Sequence, residues 1–199
     1  MALRQQAKTL TKSNVMRALA HVRLGRNGLR NEVILLLSVK AGLRAKEIAC
    51  LTWQMVLDAD GVVGDHILLT NKASKGQSGR CIPLNRELRT ALTSLHRIAL
   101  DHGADTLASQ HIITTERQTR TTPQVIVNMF HRWYAEMGLQ GCSSHSGRRT
   151  FITNAARKIS NVGGSLRDVQ ALAGHRSLNT TQRYIEFDNQ AQARVVEII

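Results

Sequence analysis

His66-Ile67-Leu68-Leu69-Thr70 and Arg80-Cys81-Ile82-Pro83-Leu84 are two short apolar runs, separated by a polar stretch that ends Lys75-Gly76-Gln77-Ser78-Gly79. Extended segments rich in branched side chains, with turn chemistry between them, predict a small antiparallel hairpin. Pro83 has no N–H for a sheet ladder, so it marks an edge or the end of the second strand. Upstream, Asp58-Ala59-Asp60-Gly61 reads as a turn, and Val62 and Val63 favour strand. The region 62–84 is therefore a small antiparallel sheet.

Everything around that sheet has helical periodicity. Val15, Leu19 and Val22 recur at helical spacing behind the cap-like Thr11 and Ser13. A second helix is expected from Gly28 to Ala41, stopped by Gly42, and a short third over Ala45–Leu51. Leu88, Ala91, Leu92, Leu95 and Ile98 give a helix over Arg86–Leu100. His111–Thr114 reads as a further short strand. Thr122-Pro123 caps a helix running to Met137, because proline is tolerated at the first helical position. The next helix starts at Ser144 or His145 and runs to Ile159. Ser165-Leu166-Arg167-Asp168 has capping-box form and opens a helix ending near Gly174. A last helix is expected over Asn179–Phe187. The fold class is α+β, mainly α, with no internal repeat and no linker: one domain over 1–199, its core at about 10–187 and a C-terminal tail at 188–199.

Composition narrows the partner. The 199 residues carry 27 Lys+Arg against 14 Asp+Glu, a formal charge of +13. Seven of those cations (Arg4, Lys8, Lys12, Arg17, Arg23, Arg26, Arg30) precede the first acid, Glu32. An excess of this size points to a polyanion, first of all nucleic acid. Only two Trp, two Tyr and three Phe are available, which weakens a single-strand binder built on stacking rings. Cys50, Cys81 and Cys142 are widely spaced and odd in number, so a reducing, cytoplasmic compartment is expected rather than a disulfide framework. No zinc-type spacing occurs among the eight histidines, and neither a metal nor another cofactor is expected. The longest apolar run, Val33–Leu37, is far too short to cross a bilayer.

Four places carry residue types suited to chemistry. Arg44 follows a helix stop, with Glu47 three residues on. Lys75 sits in the hairpin turn. His145 and Arg148 are one helical turn apart, and His175 precedes Tyr184 by nine residues. Each has an ordinary reading taken alone: a surface ion pair, a solvated lysine, an N-terminal histidine beside an exposed arginine, a helix-capping histidine, a core tyrosine.

Their order and neighbours resemble the tyrosine recombinase (phage integrase) family. Gly42-Leu43-Arg44, Glu47 and Leu51 match its first motif. Lys75 lies eight residues before Pro83 within Arg80-Cys81-Ile82-Pro83-Leu84, as the family's hairpin lysine does. His145, Arg148, Arg149 and Thr150 match the third motif, and Gly174, His175 and Tyr184 the last, with Thr180 and Thr181 between. Gly147 replaces a usual leucine, which predicts a looser helix start, and Ala173 replaces another. The resemblance covers about residues 10–187 and leaves no room for the N-terminal clamp domain that most relatives carry.

The resemblance implies a site-specific DNA recombinase of integrase or invertase type, acting without metal or ATP. Tyr184 is the implied nucleophile, with Arg44, Lys75, His145, Arg148 and His175 completing the catalytic set and Glu47 and Arg80 supporting it. Such chemistry needs a covalent phosphoryl intermediate to conserve bond energy. It also needs charge-bearing forks on the non-bridging oxygens, which guanidiniums provide. Implied partners are double-stranded DNA, further copies of the chain in a tetramer on DNA (a monomer without it), and an accessory DNA-bending protein, in a bacterial cytoplasm. The apolar end Val195–Ile199 is expected to dock on a neighbouring protomer or on its own core. The competing readings are a DNA-binding regulatory protein that keeps the fold without recombining, and a relaxing enzyme of the type IB topoisomerase kind.

Overall fold

The computed structural model describes residues 7–74, 78–101, 107–115, 118–184 and 196–197. Helix α1 (Lys12–Arg23) starts at Thr11, whose hydroxyl accepts the Asn14 N–H. Helix α2 (Gly28–Lys40) lies at the centre: Val33, Ile34, Leu35, Leu36 and Leu37 are all fully buried. Five consecutive buried residues exceed what one helix face can hide, so α2 is covered on several sides, with α1, α4 and α6 packed against it. The short α3 (Ala45–Ala49) follows directly.

Strands β1 (His66–Leu69) and β2 (Arg80–Pro83) pair antiparallel, His66 opposite Pro83 and Leu69 opposite Arg80. Ile67, Leu69 and Ile82 turn into the core, while Leu68 and Cys81 face outward. Two expected strands are reduced to single bridges. Val63 pairs only with Leu57, because the Asp58 carboxylate accepts the Asp60 and Val62 N–H groups and folds 58–62 into a tight loop. His111 pairs only with Thr52.

Helices α4 (Arg86–Asp101) and α5 (Pro123–Glu136, capped by Thr122) complete the main body. A satellite unit follows: α6 (Ser146–Lys158), a 3-10 turn at Ile159–Val162, α7 (Leu166–Ala173) and α8 (Leu178–Gln182). Ser165 and Asp168 form the expected capping box, and Gly174 at φ 61° ends α7. Helix α8 begins one residue earlier than expected, at a Ser177 cap, and ends at Gln182, so Tyr184 lies in the turn just after it rather than within the helix; 185–187 fall outside the described residues. The apolar centre here is small, with Ile152, Val169 and Ala173 fully buried and Phe151 and Tyr184 packed on them.

Gly147 does not loosen α6. A Cβ there would lie 2.3 Å from Ser38 Oγ, so the missing side chain is what lets α6 press onto α2. No helix among the described residues is long and apolar enough to cross a membrane.

Candidate active site

The turn between α2 and α3 supplies the first functional side chain. Gly42 has φ 65° and packs its Cα against the Phe151 ring, leaving no space for a Cβ. Arg44 is then the N-cap of α3, and Glu47 reaches back to accept the Arg44 backbone N–H at 2.9 Å and its Nη1 at 2.7 Å. The i,i+3 pair is not a surface ion pair, because Glu47 is fully buried. Arg80 closes the arrangement from β2, donating Nη1 and Nη2 to the two Glu47 oxygens at 3.0 and 3.1 Å and Nε to the Leu172 carbonyl at 2.8 Å. Burial pushes the Glu47 pKa up, but Arg80 and Arg44 outweigh it and hold the carboxyl below its ordinary value. A buried carboxylate shared by two guanidiniums makes Glu47 a buttress and Arg80 a brace between hairpin, α3 and α7.

Arg148, from the first turn of α6, is 4% exposed. Its Nη1 donates to the Gly42 carbonyl at 2.5 Å and its Nη2 to the Ala173 carbonyl at 2.6 Å. Nη2 also meets His175 Nε2 at 3.1 Å. Burial, with the positive Arg44 and Arg80 nearby, lowers the Arg148 pKa to about 10 against the pull of Glu47. The group stays charged at neutral pH, and its electrostatic debt falls sharply when an anion arrives.

Beyond Gly174, His175 is half-buried with Nδ1 2.9 Å from Thr181 Oγ1. Its ring stacks on Tyr184, centroids 5.5 Å apart and planes at 23°. Burial and then the positive Arg148 lower the His175 pKa to about 4, so the imidazole is neutral at physiological pH.

Tyr184, Arg148 and His145 line one open cleft of about 980 Å³, with Lys8, Gly141, Cys142, Ser143 and Arg149 also on its wall. His145 is exposed at the N-cap of α6, whereas Arg148 is buried; the two share the cleft but not the same environment. Lys75 lies outside the described residues. Its flank is anchored by Lys46 Nζ, which donates to the Ser74 carbonyl at 3.3 Å. Arg44, Glu47, Arg80, Arg148, His175 and Tyr184 are thus brought together from 141 residues of chain, between Arg44 and Tyr184.

Sequence reasoning missed the chain's own N-terminal contribution. The Lys8 N–H donates to the Gly141 carbonyl at 3.1 Å, which puts Lys8 on the cleft wall, and the buried Leu10 donates its N–H to Thr150 Oγ1 at 2.7 Å, tying the segment to α6. The only sequence signal was the basic run before Glu32. It also missed the contact of Thr181 with His175, visible in sequence only as a hydroxyl six residues after a histidine. Among the described residues, no group of three or more His, Cys, Asp or Glu side chains is placed to hold a metal ion.

A helical body with one small hairpin and an arginine–histidine–tyrosine cluster at the junction of α3, α6 and α8 defines the class. The chain belongs to the phage integrase family, whose model matches residues 8–191. It is 31% identical over 176 residues to tyrosine recombinase XerD of Pseudomonas aeruginosa, covering 86% of this chain and 53% of that protein. It is 28% identical over 184 residues to tyrosine recombinase XerA of Thermococcus kodakarensis, covering 91% of this chain and 58% of that one. The chain spans about half the length of the curated relatives it matches. In fold it is similar to the XerA recombinase crystal structure, with TM-score 0.73 at 22% identity over 94% of this chain and 63% of that one. It is also similar in fold to the Tn1549 transposon integrase solved in complex with a circular intermediate DNA, with TM-score 0.74 at 20% identity over 99% and 68% of the two chains.

Proposed function

We propose that this chain cuts and rejoins DNA strands at a defined site through a covalent 3′-phosphotyrosyl intermediate. The observation that carries the reading is one chain of contacts: the buried Arg148 bonded to His175, and His175 stacked on Tyr184, at the wall of a basic cleft. In the reaction, the Tyr184 oxygen attacks the phosphorus, the bond to the 5′-oxygen breaks, and the tyrosine proton passes to His145 or to water. Lys75 gives a proton to the departing 5′-oxygen. A 5′-hydroxyl later attacks the phosphotyrosyl phosphorus and releases Tyr184. Attack and return exchange one phosphodiester for another, so no nucleotide hydrolysis is needed.

Arg44 and Arg148 take the non-bridging oxygens, whose charge grows in the transition state, and His175 adds a donor. Two guanidiniums supply the charge that this step demands, so the proposed route calls for no metal. Assembly of four copies on two duplexes, and help from a DNA-bending protein, are further parts of the proposal that follow from family membership.

The test uses nicked duplexes tiled across the DNA flanking the gene, with protein in EDTA. A denaturation-resistant protein–DNA adduct is expected from the wild type and not from Tyr184→Phe. Salt-sensitive binding to one segment with no adduct would favour the regulatory DNA-binding reading instead.

A further inference from the structure

We propose that Thr181 is the positioning residue for His175, a hydroxyl that satisfies Nδ1 whichever ring nitrogen carries the proton. The second half of this proposal rests on the strand-cleavage reading above; the first half does not.

The geometry settles the protonation of the free site. A guanidinium has only donors, so the 3.1 Å contact from Arg148 Nη2 makes His175 Nε2 an acceptor. In a neutral imidazole the proton is then on Nδ1, which donates to Thr181 Oγ1 at 2.9 Å. The charged groups that bear on the ring, Arg148 from α6, Arg44 from the start of α3 and Arg80 from β2, are all positive and all favour the neutral form. Thr181 is fully buried, so no water replaces its hydroxyl freely.

Thr181 also holds the nucleophile. Its carbonyl accepts the Tyr184 N–H at 3.0 Å, and the Tyr184 carbonyl in turn accepts from Thr153 Oγ1 of α6 at 3.4 Å. One residue therefore fixes both the imidazole and the backbone from which Tyr184 projects.

A phosphate oxygen on Arg148 reverses what is asked of Nε2, which must now donate. The ring releases the Nδ1 proton to solvent and takes one at Nε2, leaving its charge unchanged. An acceptor-only partner would be left facing a bare Nδ1 lone pair. A hydroxyl rotates and donates instead, because it carries both a donor and acceptors. Serine keeps this capacity, whereas valine keeps the shape and loses it.

The experiment compares wild type, Thr181→Ser and Thr181→Val by ¹⁵N spectra of the histidine side chains without DNA, and by adduct formation on a nicked duplex. In wild type and Thr181→Ser, the expected His175 form at pH 7 is neutral with the proton on Nδ1. In Thr181→Val that form is lost as the ring turns to solvent, and its titration moves up toward the ordinary 6.5. Adduct formation should fall about tenfold or more in Thr181→Val, the order of one hydrogen bond at a buried group, and by less than about threefold in Thr181→Ser. A wild-type His175 protonated on Nε2, or an unchanged His175 spectrum in Thr181→Val, overturns the proposal. A changed spectrum with an unchanged adduct rate overturns its catalytic half. No adduct even from wild type refutes the strand-cleavage reading and that half together, while the spectra still decide the holding role. Thr181→Ser guards against a valine variant that fails to fold.

Discussion

The α2-centred body and the α6–α7–α8 unit are built on different physics. Around α2, long aliphatic side chains are buried in number, and the cluster extends through Trp53, Phe130, Trp133 and Tyr134. In the cluster that Tyr184 packs on, Ile152, Val169 and Ala173 are the fully buried apolar residues among those described. What fixes the second unit is polar: Arg148 on the carbonyls of Gly42 and Ala173, Arg80 on the Leu172 carbonyl, Thr181 on His175. Nonspecific apolar burial holds the body, while the proposed catalytic face is held by the groups that would do the chemistry. In the body a substitution should act on stability first, and on the catalytic face on reaction rate first.

The largest separation is expected from Arg148→Ala. Removing one preorganised charge donor should lower the rate of adduct formation by roughly 10²–10³ or more. It should also lower stability by about 1–3 kcal/mol, since two buried carbonyls lose their donor. Rapid-quench assays and denaturant unfolding read the two effects separately. Near-normal cleavage would break the assignment of Arg148 as a phosphate clamp.

Leu36→Ala inverts the pattern. Truncating a fully buried leucine at the centre of α2 should cost about 2–5 kcal/mol of unfolding free energy. The adduct rate per folded molecule should change little. A large rate loss in fully folded protein would show that the two regions are coupled more tightly than their contacts imply.

Gly147→Ala tests the seam between them. Its new Cβ would meet Ser38 Oγ, an atom buried without a hydrogen-bond partner, and the Ser38 Cβ at 3.0 Å. Overpacking of this kind costs about 1–3 kcal/mol. Adding Ser38→Ala removes the nearer atom and should recover part of the loss in thermal unfolding. No recovery would place the strain elsewhere.

A further contrast is in pH. His175 is depressed to about 4 in the folded chain from an ordinary 6.5. The unfolded state binds the extra proton in that window, so stability is full above pH 6.5 and declines as pH falls toward 4. Glu47, also depressed, contributes stability above its ordinary 4.5 that is lost at lower pH. His175→Asn should shrink the first window, leaving the part that His96, also depressed by burial, contributes there, and should leave the second unchanged, a difference that unfolding titrations resolve.

Much of this was legible in the sequence where one local rule sufficed. The hairpin at 66–83 followed from strand-favouring residues on either side of a polar turn, and α5 and α7 from Thr122-Pro123 and Ser165–Asp168. Local rules failed where a residue's partner is remote. Val62 and Val63 have strand propensity, but the Asp58 carboxylate captured the backbone first. Gly147 read as a weak point because its neighbour Ser38 is 109 residues away. Taken alone Arg44 with Glu47 reads as a surface pair; only the resemblance made Glu47 and Arg80 supports, and their buried contact leaves no local pattern. The proposed catalytic set was named through its resemblance to a family; the bonds that orient it, to backbone carbonyls and to Thr181, leave no pattern in a single sequence.

The central claim, that Tyr184 is the nucleophile that attacks the DNA phosphodiester, is tested most directly on the adduct itself. Trapped protein–DNA complex is trimmed with nuclease, digested with protease and sequenced by mass spectrometry. The account predicts a phosphonucleotide on the peptide containing Tyr184 and an unmodified Tyr134, which is buried at 1% exposure. A nucleotide on any other residue, or an adduct that persists in Tyr184→Phe, would contradict it.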